Sequence, residues 1–443
     1  MARIAFVGGG SYGWMPSILG RLMQTPTCQD DEIVIMDTNA EAAEDIYQLA
    51  LGLRKRFKST LGISRTTELT AALDGAQYVS LTISTGGLDA MRVDVEVPEK
   101  YGIFHTVGDT VGPGGMSRAL RNVPVLLDLA HQMERYCPNA WLFNLSNPLS
   151  TLTRAVSRET KIRTVGLCQG VVEHVDYLVE LLGEKPGDGV QFVTAGIDHC
   201  PWLLALSIKG RDGLQVLRER GLCSSSLQPD SVNGSTDGHL GCLVGTRAGF
   251  ALWKEIGFLP GIGDRHMVEN FGCFITDSRQ MEKYGIVRTS IADRRKNMEL
   301  QKNRVRTFID KPEDLSIPAT HAPVIQMVDA LEGRGDLLTT LNVENAGQIP
   351  ELPARANVET LCRVDKLGVH PLAINRPLPR ALDAILRPHI LRQEGAIDAA
   401  ITGDRELAVG LLASDPCVRF ITDARAMLTE MIELNRAWLP KFF

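Results

Sequence analysis

The sequence predicts an α/β fold built on a doubly wound parallel sheet. Three observations carry that expectation. Short, nearly continuous apolar runs alternate with amphipathic helical stretches through the first 150 residues, as in a parallel sheet covered on both faces. A glycine loop, Gly8 to Gly13, follows the first run directly. An acidic residue, Asp37, closes the second run, at the carboxyl edge where such sheets bind ligands.

Taken in order, Ala2 to Val7 reads as a strand and Met15 to Met23 as a helix. Glu32 to Met36 (EIVIM) is the second strand, followed by a helical pattern from Ala40 to Phe57. Tyr78 to Ile83 (YVSLTI) and Ala140 to Leu145 (AWLFNL) are two more strands. Between them lie a loop, GPGG (Gly112 to Gly115), and then a helical segment, Met116 to Tyr136. Residues 1–195 are expected to form one doubly wound domain, and 196–443 a mixed α/β domain. Gln191 to Ile208 holds two strand-like runs around GIDHCPW, and Ser224 to Gly238 reads as an exposed loop. The sequence turns charged and helical from Ala292, with the run Arg294 to Arg306 expected on a solvated helix face, and is helical again from Pro379.

Composition narrows the class of function. A chain of 443 residues with 44% hydrophobic and 23% charged residues is ordinary for a globular protein with a large core. Lys plus Arg number 47 against 53 Asp plus Glu, a formal charge of −6, which argues against a nucleic-acid-coating role. The nine cysteines contain no CxxC pair, so they are expected as reduced thiols. Buried and inert is the default for Cys28, Cys137, Cys200, Cys223, Cys242, Cys273, Cys362 and Cys417. No apolar run reaches the roughly 18 residues of a membrane span, and MARIAFVGGG has no signal-peptide pattern. The expectation is a cytoplasmic enzyme with no membrane or nucleic-acid partner.

Gly8, Gly10 and Gly13 complete a G-x-G-x-x-G between strand and helix. The first glycine permits a tight turn, the second lets backbone approach a pyrophosphate, and the third lets helix and strand pack closely. Asp37 follows Gly13 by 24 residues, placed to bind two ribose hydroxyls and repel a 2′-phosphate. Gly8, Gly10, Ser11, Gly13 and Asp37 are the candidate cofactor residues, with NAD favoured over NADP.

Two further residues end strand-like segments. Cys168 closes VGLC, downstream of FNLSNP (Phe143 to Pro148), and His199 closes GIDH (Gly196 to His199). A thiolate and a neutral imidazole suit a divalent transition metal with open positions for water or substrate. Taken singly, Cys168 reads more often as a small buried hydrophobe and His199 as a hydrogen-bonded core or loop histidine. Their separation of 31 residues favours neither reading.

Longer segments carry a resemblance. IAFVGGGS (Ile4 to Ser11), KYGIFHTVGDTVGPGGMSRALRNVPV (Lys100 to Val125), the stretch Pro138 to Cys168, GIDHCPW (Gly196 to Trp202), GFLPGIGDRHMVENF (Gly257 to Phe271) and NAGQIPELPARANVE (Asn345 to Glu359) span nearly the whole chain. Together they resemble glycoside hydrolase family 4, the NAD-dependent glycosidases. The likeness is nearer to its α-glucosidase, α-galactosidase and α-uronidase members than to its 6-phospho-glycosidases.

The resemblance implies a Rossmann NAD-binding domain and a second, substrate- and metal-binding domain of the lactate/malate dehydrogenase-like type, assembled as a homodimer or homotetramer. It implies a bound NAD⁺ and Mn²⁺ or another divalent transition metal, and glycoside cleavage with no net redox change. In that scheme hydride leaves C3 of the sugar, the acidified C2 proton goes to a base, the aglycone departs, water adds and the hydride returns. Cys168 and His199 match the metal ligands, and Asn147 the position that holds sugar hydroxyls. Some members carry a tyrosine base in the segment GFLPGIGDRH, but none lies here between Tyr177 and Tyr284; the α-glycoside and uronate-type members carry aspartate there, so the resemblance implies Asp264 as the candidate base. Arg265, Asp109 and Arg92 are candidate substrate contacts, a guanidinium being suited to oxyanions. The residue after the metal cysteine is Gln169, which cannot donate a proton, so His174 is the candidate acid. An α-linked uronide or hexoside is the expected substrate. The alternatives are a 6-phospho-glycosidase of the same family, a malate- or lactate-type dehydrogenase, and a sensor that keeps the fold without the chemistry.

Overall fold

The computed structural model describes residues 1–187, 189–220, 246–317 and 323–443. Among them thirteen strands form one sheet: β1 (Arg3–Val7), β2 (Glu32–Met36), β3 (Gly62–Thr66), β4 (Tyr78–Leu81), β5 (Trp141–Asn144), β6 (Arg163–Gly166), β7 (Val190–Ile197), β8 (Cys200–Ile208), β9 (Arg211–Asp212), β10 (Leu259–Pro260), β11 (Leu337–Glu344), β12 (Asn357–Asp365) and β13 (Gly368–Pro371). The order is β10-β8-β7-β12-β11-β6-β5-β4-β1-β2-β3, with β13 beside β12 and β9 beside β8.

The segment β3-β2-β1-β4-β5-β6 is parallel throughout, the strand order of a dinucleotide-binding sheet. Its apolar runs are continuous because both faces are buried. In β2, Ile33 and Ile35 enter one core, and Val34 and Met36 enter the other. In β1, Ile4 and Phe6 divide from Ala5 and Val7 in the same way. The fold is therefore the expected Rossmann sheet continued by a mixed α/β part.

That continuation is antiparallel. β11 joins β6 through the pair Asn342/Gly166, and β12, β7, β8 and β10 follow. A Cβ at Gly166 would stand 2.8 Å from Thr153 Oγ1 and 2.9 Å from Asn342 Cβ, so the two halves meet where a side chain would not fit. Residue 195 lies inside β7, whose partners β8 and β12 both belong to the antiparallel half. Two late helices, Arg380–Thr402 and Ile421–Leu434, fold back onto Gly112–Tyr136 and Gly87–Glu99 of the parallel half.

The early helices match their sequence patterns: Met15–Gln24, and Ala40–Phe57 with Asn39 capping the Ala42 N–H at 3.2 Å. GPGG is a correction. It forms the first turn of the helix Gly112–Tyr136, not a loop before it. Proline suits that first turn, where its missing N–H is not needed. The charged helix Ile291–Asp310 buries only Ile291 and Val305, and its Lys302 and Arg306 pair with Glu41 and Asp45. Among the described cysteines all seven are free, and Cys273 departs from the expected burial by lying exposed. Ser224 to Gly238, Cys223, Cys242 and His239 lie outside the described residues. No described helix is long and apolar enough to cross a membrane.

Candidate active site

The glycine loop opens at the carboxyl ends of β1 and β2. Gly8 has φ +82°, and a Cβ there would stand 1.9 Å from the Thr82 carbonyl oxygen. Gly8 and Gly9 both donate to the Met36 carbonyl, at 3.0 and 2.8 Å, which folds the loop back over β2. A Cβ on Gly10 would meet Asp37 Oδ2 at 2.7 Å; the bare backbone lets the Gly10 N–H donate to that oxygen at 2.9 Å. Asp37 Oδ1 accepts from Asn39 N at 2.9 Å, so both oxygens are held and the carboxylate is oriented. The loop runs straight into the helix Met15–Gln24, where Met15 N donates to the Ser11 carbonyl at 3.1 Å and Trp14 N to Ser11 Oγ at 3.3 Å. The backbone shape at Gly8 and Gly10 and the charge of Asp37 suit a dinucleotide, and Ser11 and Gly13 lie in the same turn.

Further along the same edge, the loops after β5 and β6 meet the β7–β8 hairpin. Asn144 ends β5, and Asn147 follows with a cis bond to Pro148. The Asn147 carbonyl accepts from Arg118 Nε and Asn122 Nδ2, both at 3.0 Å. Its side chain is thereby free to donate to Asp109 Oδ2 at 3.0 Å. Asp109 Oδ1 accepts from Thr110 Oγ1 at 2.8 Å, and Thr110 Oγ1 also lies 2.7 Å from His199 Nδ1. Burial works against charge on Asp109, but the His199 ring and the Arg118 guanidinium hold its carboxyl well below the usual carboxylate range.

The hairpin turn is Asp198-His199, two residues between β7 and β8. His199 has φ +61°, a left-handed conformation in which a non-glycine residue is uncommon and histidine is over-represented. Asn270 Nδ2 holds the His199 carbonyl at 2.9 Å, and Ser150 Oγ accepts the Asp198 N–H at 3.1 Å. This fixed turn brings Cys168, Asp198 and His199 together, their ligand atoms within 4.8 Å of one another. On the other side of the same imidazole, Asp109 and His266 form a second such group. The His266 ring lies tilted against His199 with centroids 3.9 Å apart, and burial pushes its pKa down to about 3, so it is neutral.

Burial and the Asp198 and Glu359 carboxyls push the Cys168 thiol well up, a bias that a coordinated cation reverses by taking the thiolate. Burial also pushes the Asp198 and Glu359 carboxyls up, with Asp198 adding to the rise at Glu359. Neither carboxylate has a hydrogen-bond partner, and Asn342 Nδ2 is likewise unpartnered. Sulfur, imidazole and orphaned oxygen in one buried group fit a divalent transition-metal ion.

Other expected residues are placed differently. Asp264 is buried, with Oδ2 and Oδ1 accepting from Ala248 N at 2.8 Å and Gly249 N at 2.7 Å, at the start of the helix Arg247–Ile256. Burial, partly offset by those N–H groups, raises its pKa to about 6. Arg265 donates to Thr289 Oγ1, and its carbonyl accepts from Thr106 Oγ1. His174 is buried in the helix Gly170–Leu181, and burial lowers its pKa to about 4, so near pH 7 it holds no spare proton for a leaving group. Arg92 is not brought to this group: it is exposed on Gly87–Glu99 and pairs with Glu96 at 3.3 Å.

Comparison with known proteins agrees over the whole length. The profile of Family 4 glycosyl hydrolase matches residues 3–184, and that of its C-terminal domain matches residues 194–418. The chain belongs to glycoside hydrolase family 4. It is 30% identical to an alpha-galacturonidase of Bacillus subtilis (strain 168), over 97% of each chain. A crystal structure of a putative glucosidase from Bacillus subtilis matches with TM-score 0.87 and 29% identity, over 97% of this chain and 99% of that one. A 6-phospho-alpha-glucosidase from gut microorganisms, solved with NAD and Mn²⁺, matches with TM-score 0.84 at 20% identity, over 100% of both chains; that likeness bears on the fold alone.

Sequence reasoning passed over several residues of this family 4 site. Asp198 stood beside His199 in GIDH, and Glu359 closed NAGQIPELPARANVE, but neither was assigned a role. Arg118 and Asn122 hold Asn147 from the helix Gly112–Tyr136, and Thr110 links Asp109 to His199. A usable signal did exist. Asn342 lies between Leu341 and Val343 in β11, where an amide needs a reason, whereas Glu359 in NVETLCRVD has polar neighbours that mask it.

Proposed function

We propose that this family 4 glycosidase is an NAD- and divalent-metal-dependent enzyme that cleaves an α-linked uronide or neutral hexoside with no net redox change. The observation that carries the reading is the Cys168–Asp198–His199 group, with half-buried Cys168 beside buried Asp198 and His199, next to Asn147 and Asp109 on the sheet edge where the nucleotide loop opens. The alpha-galacturonidase relative supports the α-linked uronide. When bound, NAD⁺ supplies reversible hydride abstraction at C3, and the divalent ion supplies Lewis acidity at the C2 and C3 oxygens.

The chain's own residues then have distinct tasks. Gly8, Gly10, Ser11 and Gly13 cradle the pyrophosphate, and Asp37 takes the ribose hydroxyls. Cys168 and His199 hold the ion. Asn147, kept in place through its carbonyl, presents its side-chain amide with Asp109 to the sugar hydroxyls. Arg265 offers a guanidinium to a substrate carboxylate or hydroxyl. Asp264 takes the C2 proton: with a pKa near 6 it is ionised at pH 7 yet more basic than an ordinary carboxylate. Arg92, exposed and paired with Glu96, and His174, held neutral, have no part in this reading.

The test is a panel of nitrophenyl α- and β-galacturonides, glucuronides, glucosides, galactosides and their 6-phosphates, assayed with NAD⁺, Mn²⁺ and a reductant. Turnover of an unphosphorylated α-glycoside, with deuterium from solvent appearing at C2, is the expected result. Turnover of 6-phosphates alone would overturn the substrate assignment. Net accumulation of NADH would overturn the mechanism.

A further inference from the structure

We propose that Asp198 is a third protein ligand to the divalent ion, alongside Cys168 and His199, so that the chain holds its metal without help from sugar. This rests on the reading of Cys168 and His199 given above, and the experiment below separates the two.

The starting point is a carboxylate with nothing to bind. Asp198 is 0% exposed, and both of its oxygens lack a hydrogen-bond donor. Its ion-pair contact among the described residues is His199 Nδ1, at 3.7 Å from Oδ2, and that nitrogen already lies 2.7 Å from Thr110 Oγ1. A carboxylate buried without a donor or counter-charge is costly. The backbone nonetheless holds it there. Asp198 N is tied to Ser150 Oγ, and His199 keeps a left-handed φ that a two-residue turn can impose on both side chains at once. Strain and an orphaned charge at the same turn point to a cation.

Two groups compete for that cation, and they share His199. In the group with His266, Asp109 already spends its oxygens on Thr110 Oγ1 and Asn147 Nδ2. In the group with Cys168, Asp198 has both oxygens unspent. The unfilled valence is on the sulfur side. Charge agrees: one thiolate and one carboxylate balance a divalent ion, with the imidazole neutral. A carboxylate also hardens a sulfur- and nitrogen-based donor set, which suits Mn²⁺ better than thiolate and imidazole alone. Glu359, equally buried and unpartnered on β12, is outside the three-ligand group and serves as the control for charge without ligation.

The experiment titrates metal-stripped protein with Mn²⁺ alone, without NAD or sugar, following loss of the free-ion electron paramagnetic resonance signal. The parent is expected to bind one ion. Asp198→Asn, nearly isosteric, is expected to weaken binding at least about tenfold, Cys168→Ser at least as much, and Glu359→Gln less than about threefold. A purely structural Asp198 would lower the melting temperature of the metal-free protein on mutation. A ligand instead leaves that temperature unchanged or raised, while shrinking the increase produced by Mn²⁺. If Asp198→Asn does not fold, Asp198→Ser carries the same comparison. Parent-like Mn²⁺ affinity in the Asp198 variant, with loss in Cys168→Ser, overturns the third ligand and leaves the first two standing. Unchanged affinity in both variants overturns the metal reading as a whole.

Discussion

The nucleotide loop and the β7–β8 turn face the same sheet edge, but their polar groups are in opposite states. At the loop every named group is satisfied from within: Gly8 and Gly9 bond Met36, and Asp37 accepts from Gly10 and Asn39. At the turn, Asp198, Glu359, Asn342 Nδ2 and His266 Nδ1 are buried without partners. The first region is a template that exists before its ligand arrives. The second is a set of donors whose energy balance closes only when something binds, because buried unpaired polar groups are costly. A change at the turn should therefore be felt first in ligand binding and chemistry, and a change at the loop first in the fold.

The sharpest test of that contrast is Cys168→Ser. It should abolish metal-dependent turnover while NAD binding stays near the parent level, since the loop makes no use of the cysteine. Turnover assayed across Mn²⁺ concentrations, beside nucleotide binding followed by fluorescence, checks both halves; a parallel loss of NAD affinity would mean that the two regions are one unit.

Asp264→Asn comes next, with an expected fall in kcat of about 10²–10⁴ and loss of C2 deuterium exchange. The pH dependence has a definite sign. A base must be deprotonated, so activity should be full above pH 6 and fall tenfold per unit below it, not near pH 4 as for an ordinary aspartate. Stability should move the other way. A carboxyl whose folded pKa exceeds its unfolded value stabilises the fold most below about pH 4 and loses that contribution as pH rises through 6. Profiles of kcat/KM and of melting temperature against pH should both lose these features in the variant. If only the stability feature disappears, Asp264 is a cap for the helix Arg247–Ile256 and not the base.

The same contrast explains what could be read in advance. The loop is local: strand, G-x-G-x-x-G, helix and Asp37 fall within a few dozen residues, and each piece has a backbone reason to be where it is. β1, β2, β4 and β5 were legible because both faces of each are covered, which leaves continuous apolar runs. β3 (GISRT) was not, being a polar strand at the sheet edge, and β11 (LLTTLNVE) and β12 (NVETLCRVD) were hidden by the polar residues spread along them. The turn group is assembled from residues 109, 168, 198, 199 and 266, and Glu359 is brought beside it by the β12–β7 register, which no local pattern encodes. Cys168 and His199 were reached through family likeness, whereas Asp198, one residue away, has no signature outside the folded pocket. GPGG read as a loop because glycine and proline usually mark one, but first-turn proline and a packed His105 ring make it a helix start.

A smaller effect is expected from Gly8→Ala, and it should appear as stability. The added Cβ meets the Thr82 carbonyl at 1.9 Å, in a backbone conformation that alanine disfavours. A loss of roughly 1–3 kcal/mol, or more if the loop cannot shift, is expected in denaturant unfolding. Mn²⁺ uptake by the folded fraction should be unchanged. If metal affinity fell as well, the turn would depend on the loop and the contrast would fail.

The smallest expected effect belongs to Asp37→Ala, which tests whether a template satisfied from within still selects its ligand. The substitution removes the acceptor for Gly10 N and Asn39 N, and with it the charge that faces the ribose edge. Asn39 N can turn to water, because Asn39 is exposed and Asp37 half-buried, but Gly10 is buried, so a stability loss of about 1 kcal/mol is expected. Affinity for NAD should fall roughly tenfold, the scale of one or two charge-assisted hydrogen bonds. Affinity for NADP should rise relative to NAD, since repulsion of the 2′-phosphate is gone. Parallel binding titrations with the two dinucleotides decide the matter. An unchanged preference would mean that Asp37 serves only to fold Gly10 over β2, and that discrimination between the cofactors lies elsewhere along the edge.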